Sequence, residues 1–183
     1  MQIGEQKMFV QSFIDEYERY RVIASKAIEQ VPDDAALNRI LAPNGNSIAM
    51  LMRHVGGNLA SRFTDFGKSD GEKPWRDRDA EFGEGPFTRA DAQTVWNAGW
   101  KALDAALSSL TEDDLTRAVT IRNLELSIHE ALTRSVTHVA MHVGQIILLA
   151  RIVASDEWKW ISIPKGQSKQ YNLNPTLEKA PKQ

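Results

Sequence analysis

Apolar positions along the chain fall into four stretches with helical spacing. In residues 7–30, Phe9, Phe13, Tyr17 and Tyr20 recur every three or four positions, and Val31-Pro32 ends the run. Residues 48–66 carry a stripe of Ile48, Leu51, Met52, Val55, Leu59, Phe63 and Phe66, with Asn46-Ser47 placed to cap it. A third stretch opens at Thr88, whose spacing to Asp91 resembles a capping box, and runs to Leu110 through Val95, Trp96, Trp100 and Leu103. The fourth and most apolar spans residues 124–153. The pattern predicts an all-α, up-down-up-down four-helix bundle forming a single domain over residues 1–183, irregular from about residue 155.

The connections read as loops. Residues 33–45 end in the turn signal Pro43-Asn44-Gly45. Residues 67–86 form a long polar segment with four glycines, two prolines and dense mixed charge around Trp75. Thr111 opens a short turn, and residues 118–122 are expected to be briefly extended. In the tail, Trp158 and Trp160 predict packing against the domain, and the last eight or so residues are expected to fray.

Composition narrows the class. The 183 residues carry a net charge of −2 and no cysteine, which removes disulfides, thiolate ligands and a cysteine nucleophile. Acids and bases are interspersed, with no polybasic face for nucleic acid. No uninterrupted apolar run reaches the roughly 18 residues of a membrane span, and the charged N-terminus is unlike a signal peptide. The expectation is a cytoplasmic protein that binds neither nucleic acid nor membrane.

Against this background the histidines stand out, for there are only four. His138 and His142 lie four apart in the fourth helix, hence on one face, one turn apart. At about 100° per residue, His142 falls roughly 40° and His138 roughly 80° from the centre of the apolar stripe, on the same side. His54 lies about 120° from the stripe of the second helix, on a polar edge with Asn58, Arg62 and Asp65 nearby. His129 points about 180° away from His138 and is excluded. Three imidazoles from two helices can share one divalent ion and leave a position open, as catalytic sites do. Val139 follows His138, so there is no HExxH general base.

Three stretches, MRHVGGNLASRFTDF, DGEKPWRDRDAEF and WKWISIPKGQSKQYN, together with His54, His138 and His142, resemble the DinB-like (YfiT-like) superfamily. Within it they resemble a bacterial branch labelled as a domain of unknown function. The resemblance covers nearly the whole chain. It implies a four-helix bundle in which those three histidines hold a divalent metal, zinc or nickel being suited to imidazole. It also implies metal-dependent chemistry on a small molecule. Thiol S-transfer leads, with a metal-dependent hydrolase and a non-enzymatic metal-binding stress protein as alternatives.

Further expectations concern the surroundings of the site. Asn58, one turn from His54, and Gln145, on the side of His138, are expected to support the ligands. Residues 67–86 and 163–168 are expected to fold across the site, with Trp75, Arg76, Arg78 and Lys165 contacting an anionic substrate. Val136, Ala140, Gly144, Ile147 and Leu148 lie off the core stripe of the fourth helix, which predicts a homodimer packed through that face.

Overall fold

The computed structural model describes residues 9–176 except Glu84. The first two residues of the stretch read as the first helix, and most of the tail expected to fray, lie outside that range. The described chain is mostly helical, with one two-stranded sheet. Four long helices carry the core: α1 (Phe9–Ile28), α3 (Ile48–Phe63), α5 (Arg89–Ser108) and α6 (Ile128–Ala154). Three single-turn helices sit in the connections: α2 (Asp34–Leu37), α4 (Arg78–Glu81) and α7 (Ser168–Tyr171). All three fall where the sequence pattern predicts loop or irregular chain. Asp33 and Asp77 cap the first two by accepting a backbone N–H three residues on.

The long helices share one core. Tyr17, Leu51, Met52, Trp96, Leu103 and Ile146 are among its most buried side chains. Tyr17 stacks edge-on to both Phe63 and Trp100, tying three helices together. In α1 the stripe is rotated from the expected one, since Phe9 is 68% exposed whereas Val10 and Ala24 are buried. Helix α3 lies along α5, and α1 along α6. The α3–α5 crossing is close because two glycines face each other. A Cβ on Gly56 would collide with the backbone of Val95, and one on Gly99 with the backbone of Gly56.

One prediction is corrected at the start of the fourth helix. Residues 124–127 are not helical. Leu124–Ser127 is strand β2, pairing antiparallel with β1 (Ala118–Ile121) through the register Ala118–Ser127 to Ile121–Leu124. The two-residue turn Arg122-Asn123 has positive φ at both positions, 54° and 60°, the geometry of a type I′ hairpin. Helix α6 then begins at Ile128, where Ser127 and Glu130 form a capping box. Helix α3 also ends earlier than residue 66, because Thr64 is extended and Asp65 has φ 49°.

By length and composition alone, α6 is apolar enough to cross a membrane, although polar residues interrupt its sequence. Its inner face is core, with Leu132, Val139, Val143 and Ile146 buried. Its outer face leaves Met141, Leu148 and Ile152 between 49% and 60% exposed. Of the off-stripe residues, Val136 and Ile147 pack partly against the core, and Gly144 and Leu148 are exposed.

Candidate metal centre

Three of the four histidines meet. His54 comes from the middle of α3, and His138 and His142 from successive turns of α6. The Nε2 atoms of His54 and His142 each lie 3.1 Å from Nε2 of His138. His54 and His142 are buried, at 3% and 7% exposure. His129 stands apart, its ring edge-on to Phe13.

The outer ring nitrogens decide which way the lone pairs point. His54 Nδ1 donates to Glu81 Oε2 at 2.8 Å. Glu81 also receives two hydrogen bonds from Arg76, at 2.8 and 2.9 Å. Burial by itself would raise the Glu81 pKa, but the hydrogen bonds from His54 and Arg76 outweigh it and hold the carboxyl below its ordinary value. Glu81 is therefore an anion that only accepts, and His54 carries its proton on Nδ1. His142 Nδ1 lies 3.1 Å from Gln145 Oε1, a carbonyl oxygen, so its proton is on Nδ1 as well. Both Nε2 lone pairs then face His138. Burial, with the neighbouring imidazoles and arginines, lowers the His138 pKa to about 3, and burial likewise lowers that of His142.

This donor set fits a cation. A neutral His138 can donate from Nε2 to one neighbour only, which leaves one pair of inward lone pairs unreconciled. Its Nδ1 is buried without a partner. An ion at the convergence point would take all three lone pairs. Nitrogens around a tetrahedral zinc stand roughly 3.3 Å apart, given Zn–N distances of about 2.0–2.1 Å. The ligand atoms of the three histidines all lie within 4.8 Å of one another, and the group can hold a metal ion.

A cavity of about 620 Å³ opens in front of the histidines. Its walls come from α3, α6, the loop after α3 and the β-hairpin. The loop is pinned to the hairpin. Asp70 accepts the backbone N–H groups of Arg122 and Asn123 at 2.9 and 2.8 Å, and Gly71 N–H donates to Thr120 O at 2.7 Å. On the other side Ser61 of α3 donates to Gly71 O and accepts from Lys73 N–H.

The residues read from the sequence end up in different places. Asn58 lines the cavity, but the hydrogen-bond partner of His54 is Glu81. Gln145 is bonded to His142 rather than set beside His138. Arg76 and Arg78 line the cavity. The Arg76 side chain is only 2% exposed and is committed to Glu81, so it holds in place the carboxylate that positions His54. Trp75, 59% exposed, and Lys165, also exposed, stand outside the lining, as does the whole 163–168 turn. The tail leaves the cavity to the hairpin, whose first strand falls where the sequence pattern predicts extended chain and whose second falls where it predicts helix. Glu81 is one of the mixed charges of the 67–86 segment, and the sequence pattern assigns it no role of its own. A signal for it existed in Gly57, three residues after His54. Glycine costs a helix interior up to about 1 kcal/mol, and a Cβ at position 57 would collide with the Glu81 carboxylate.

Fold and site together define a mostly helical protein with a three-histidine cluster suited to a metal ion. The family model described as a protein of unknown function (DUF1572) matches residues 4–167, and the chain belongs to that family. A crystal structure of a DinB-like protein from Bacillus cereus ATCC 10987 is similar in fold, with a TM-score of 0.52 over 79% of this chain and 89% of that one. The two are 18% identical. The chain is thus a member of a family of unknown function whose fold is similar to that of a DinB-like protein, the fold that the resemblance of its histidine pattern and loop motifs implies. A search of curated proteins finds no match.

Proposed function

We propose that His54, His138 and His142 hold one divalent metal ion, zinc or nickel, in an up-down-up-down bundle, and that the protein is a metal-dependent enzyme acting on a small molecule, with thiol S-transfer as the leading reaction. The observation that carries the reading is the convergence of three Nε2 atoms, of which at most one, that of His138, has a proton to share. A metal bound there supplies Lewis acidity, which lowers the pKa of a bound thiol or water. The chain's own part is to fix the ligands. Arg76 holds Glu81, Glu81 holds the His54 ring and tautomer, and Gln145 holds the His142 ring.

S-transfer is favoured over hydrolysis by the lining of the cavity. Among the described residues no aspartate or glutamate lines it, and Glu81 is occupied by Arg76 and His54. Hydrolysis by a bound water gains most from a free carboxylate base, whereas a thiol ionised by a metal needs none. A cytoplasmic setting belongs to this reading, since thiols are kept reduced there.

The test begins with metal content in protein purified without an affinity tag. One ion per chain is expected in the wild type and in His129→Ala, and little in His54→Ala, His138→Ala or His142→Ala. Metal lost from His129→Ala but kept by His138→Ala would overturn the assignment. Low-molecular-weight thiols with an electrophile are then compared with ester, amide and lactam substrates, on metal-loaded and metal-free protein. Metal-dependent thiol consumption supports transfer, and metal-dependent hydrolysis replaces it. No turnover on either panel leaves a metal-binding protein without catalysis.

A further inference from the structure

Among the described residues, the charged part of the cavity lining is arginine alone. Arg62, Arg76, Arg78, Arg122 and Arg134 line it. Three of these already have carboxylates. Arg76 is paired with Glu81, and Arg62 and Arg122 both bond Glu72. Arg78 and Arg134 form no ion pair among the described residues, and the Arg78 guanidinium stands 5.1 Å from the centre of the Phe82 ring. Arg134 has a particular position. It precedes His138 by four residues and His142 by eight, so the three share one face of α6. Each such step is about 6 Å along the axis.

Beyond the histidines and the neutral polar Asn46, Asn58 and Ser135, the wall is apolar, including Phe63, Phe66, Ile121 and Leu124. A cavity of this volume lies in the range of roughly 300–1,000 Å³ that takes a small organic molecule. Arginine's planar fork matches a carboxylate in two parallel hydrogen bonds. Excess positive charge beside an apolar wall selects an anion with an apolar body.

We propose that Arg134, assisted by Arg78, is the anion-recognising end of this cavity, and that its ligand is a small organic carboxylate whose body lies on the Phe63–Phe66–Leu124 wall while its other end reaches the histidines. The last clause rests on the three-histidine reading above. The role of Arg134 does not.

The probes are 3-phenylpropionate and its neutral isostere 3-phenylpropionamide, titrated calorimetrically into the full chain with zinc and without it. Wild type should prefer the carboxylate by about tenfold or more, the equivalent of about 1.4 kcal/mol. Arg134→Gln should bring the two probes within about twofold, Arg134→Lys should keep part of the preference, and Arg78→Gln should lose a smaller part. An unchanged melting temperature in each variant shows that the fold is intact. Equal binding of the two probes by wild type, no binding of either at about 10 mM, or a preference that survives in Arg134→Gln would overturn the proposal. A preference surviving in Arg134→Gln only with zinc would place the carboxylate on the metal, and one surviving without zinc would place it on another group of the chain. If metal analysis finds no ion yet the Arg134-dependent preference remains, the metal reading falls and this one stands. Stoichiometric metal without any Arg134-dependent preference gives the reverse.

Discussion

Glu81 is the residue on which the placing of the His54 ring depends. Its carboxylate accepts from His54 and from a guanidinium that is itself almost fully buried. Glu81→Gln keeps the shape and removes the charge. Metal affinity should fall by about 10–100-fold, the usual effect of losing the partner of a ligating imidazole, while the circular dichroism of the metal-free protein stays helical. Chelator competition measures it, and an affinity within about twofold of wild type would exclude the role. Acid should act on the same cluster with a definite sign. His138 titrates near 3 in the folded chain, against an ordinary 6.5. His142 is shifted the same way. Between those values the unfolded chain binds more protons than the folded one, so this contribution is complete above about pH 6.5 and is lost as pH falls toward 3. The melting temperature of metal-free protein should therefore drop from pH 7 to pH 4.5. The drop should be shallower in His138→Ala. An equal drop in both would assign the acid sensitivity elsewhere.

At the scale of elements, the α3–α5 crossing offers the clearest test. Gly99→Ala gains up to about 1 kcal/mol of helix propensity, yet its Cβ would meet the Gly56 backbone, which cannot rotate away. Overpacking of this kind costs about 1–3 kcal/mol, so a net loss of stability in urea unfolding is expected, and a gain would show that the helices can part freely. Elements also show what the sequence could and could not reveal. The phase of α6 ranks His142 nearer the core than His138, and His142 is indeed the more buried of the two. The same arithmetic places His54 well off its stripe, yet it is 3% exposed, because α4 and Glu81 cover it from a segment 27 residues away. Helical phase reports only the helix that carries the residue. The hairpin was hidden for a related reason. Leu124 continues the apolar spacing of α6, while two left-handed residues and the Ser127–Glu130 cap decide the local structure.

For the whole molecule, the exposed apolar face of α6 has no cover within the described chain. Met141, Leu148 and Ile152 carry it. We expect a homodimer through this face, since a helix apolar on all sides is normally buried on all sides. Light scattering at tens of micromolar should give twice the chain mass, and Leu148→Glu should halve it. A wild-type monomer would exclude the dimer. The long segment between α3 and α5 has a consequence of another kind. Loops of this length often act as doors over a site, but this one is tied to the hairpin through Asp70 and Gly71 and to α3 through Ser61. A pocket with a tethered wall is open before its guest arrives. In stopped-flow mixing, the observed association rate should rise in proportion to ligand concentration and never level off, because no opening step precedes encounter. A plateau would reveal a slow rearrangement, and Asp70→Ala, which unties the wall, should be what introduces one.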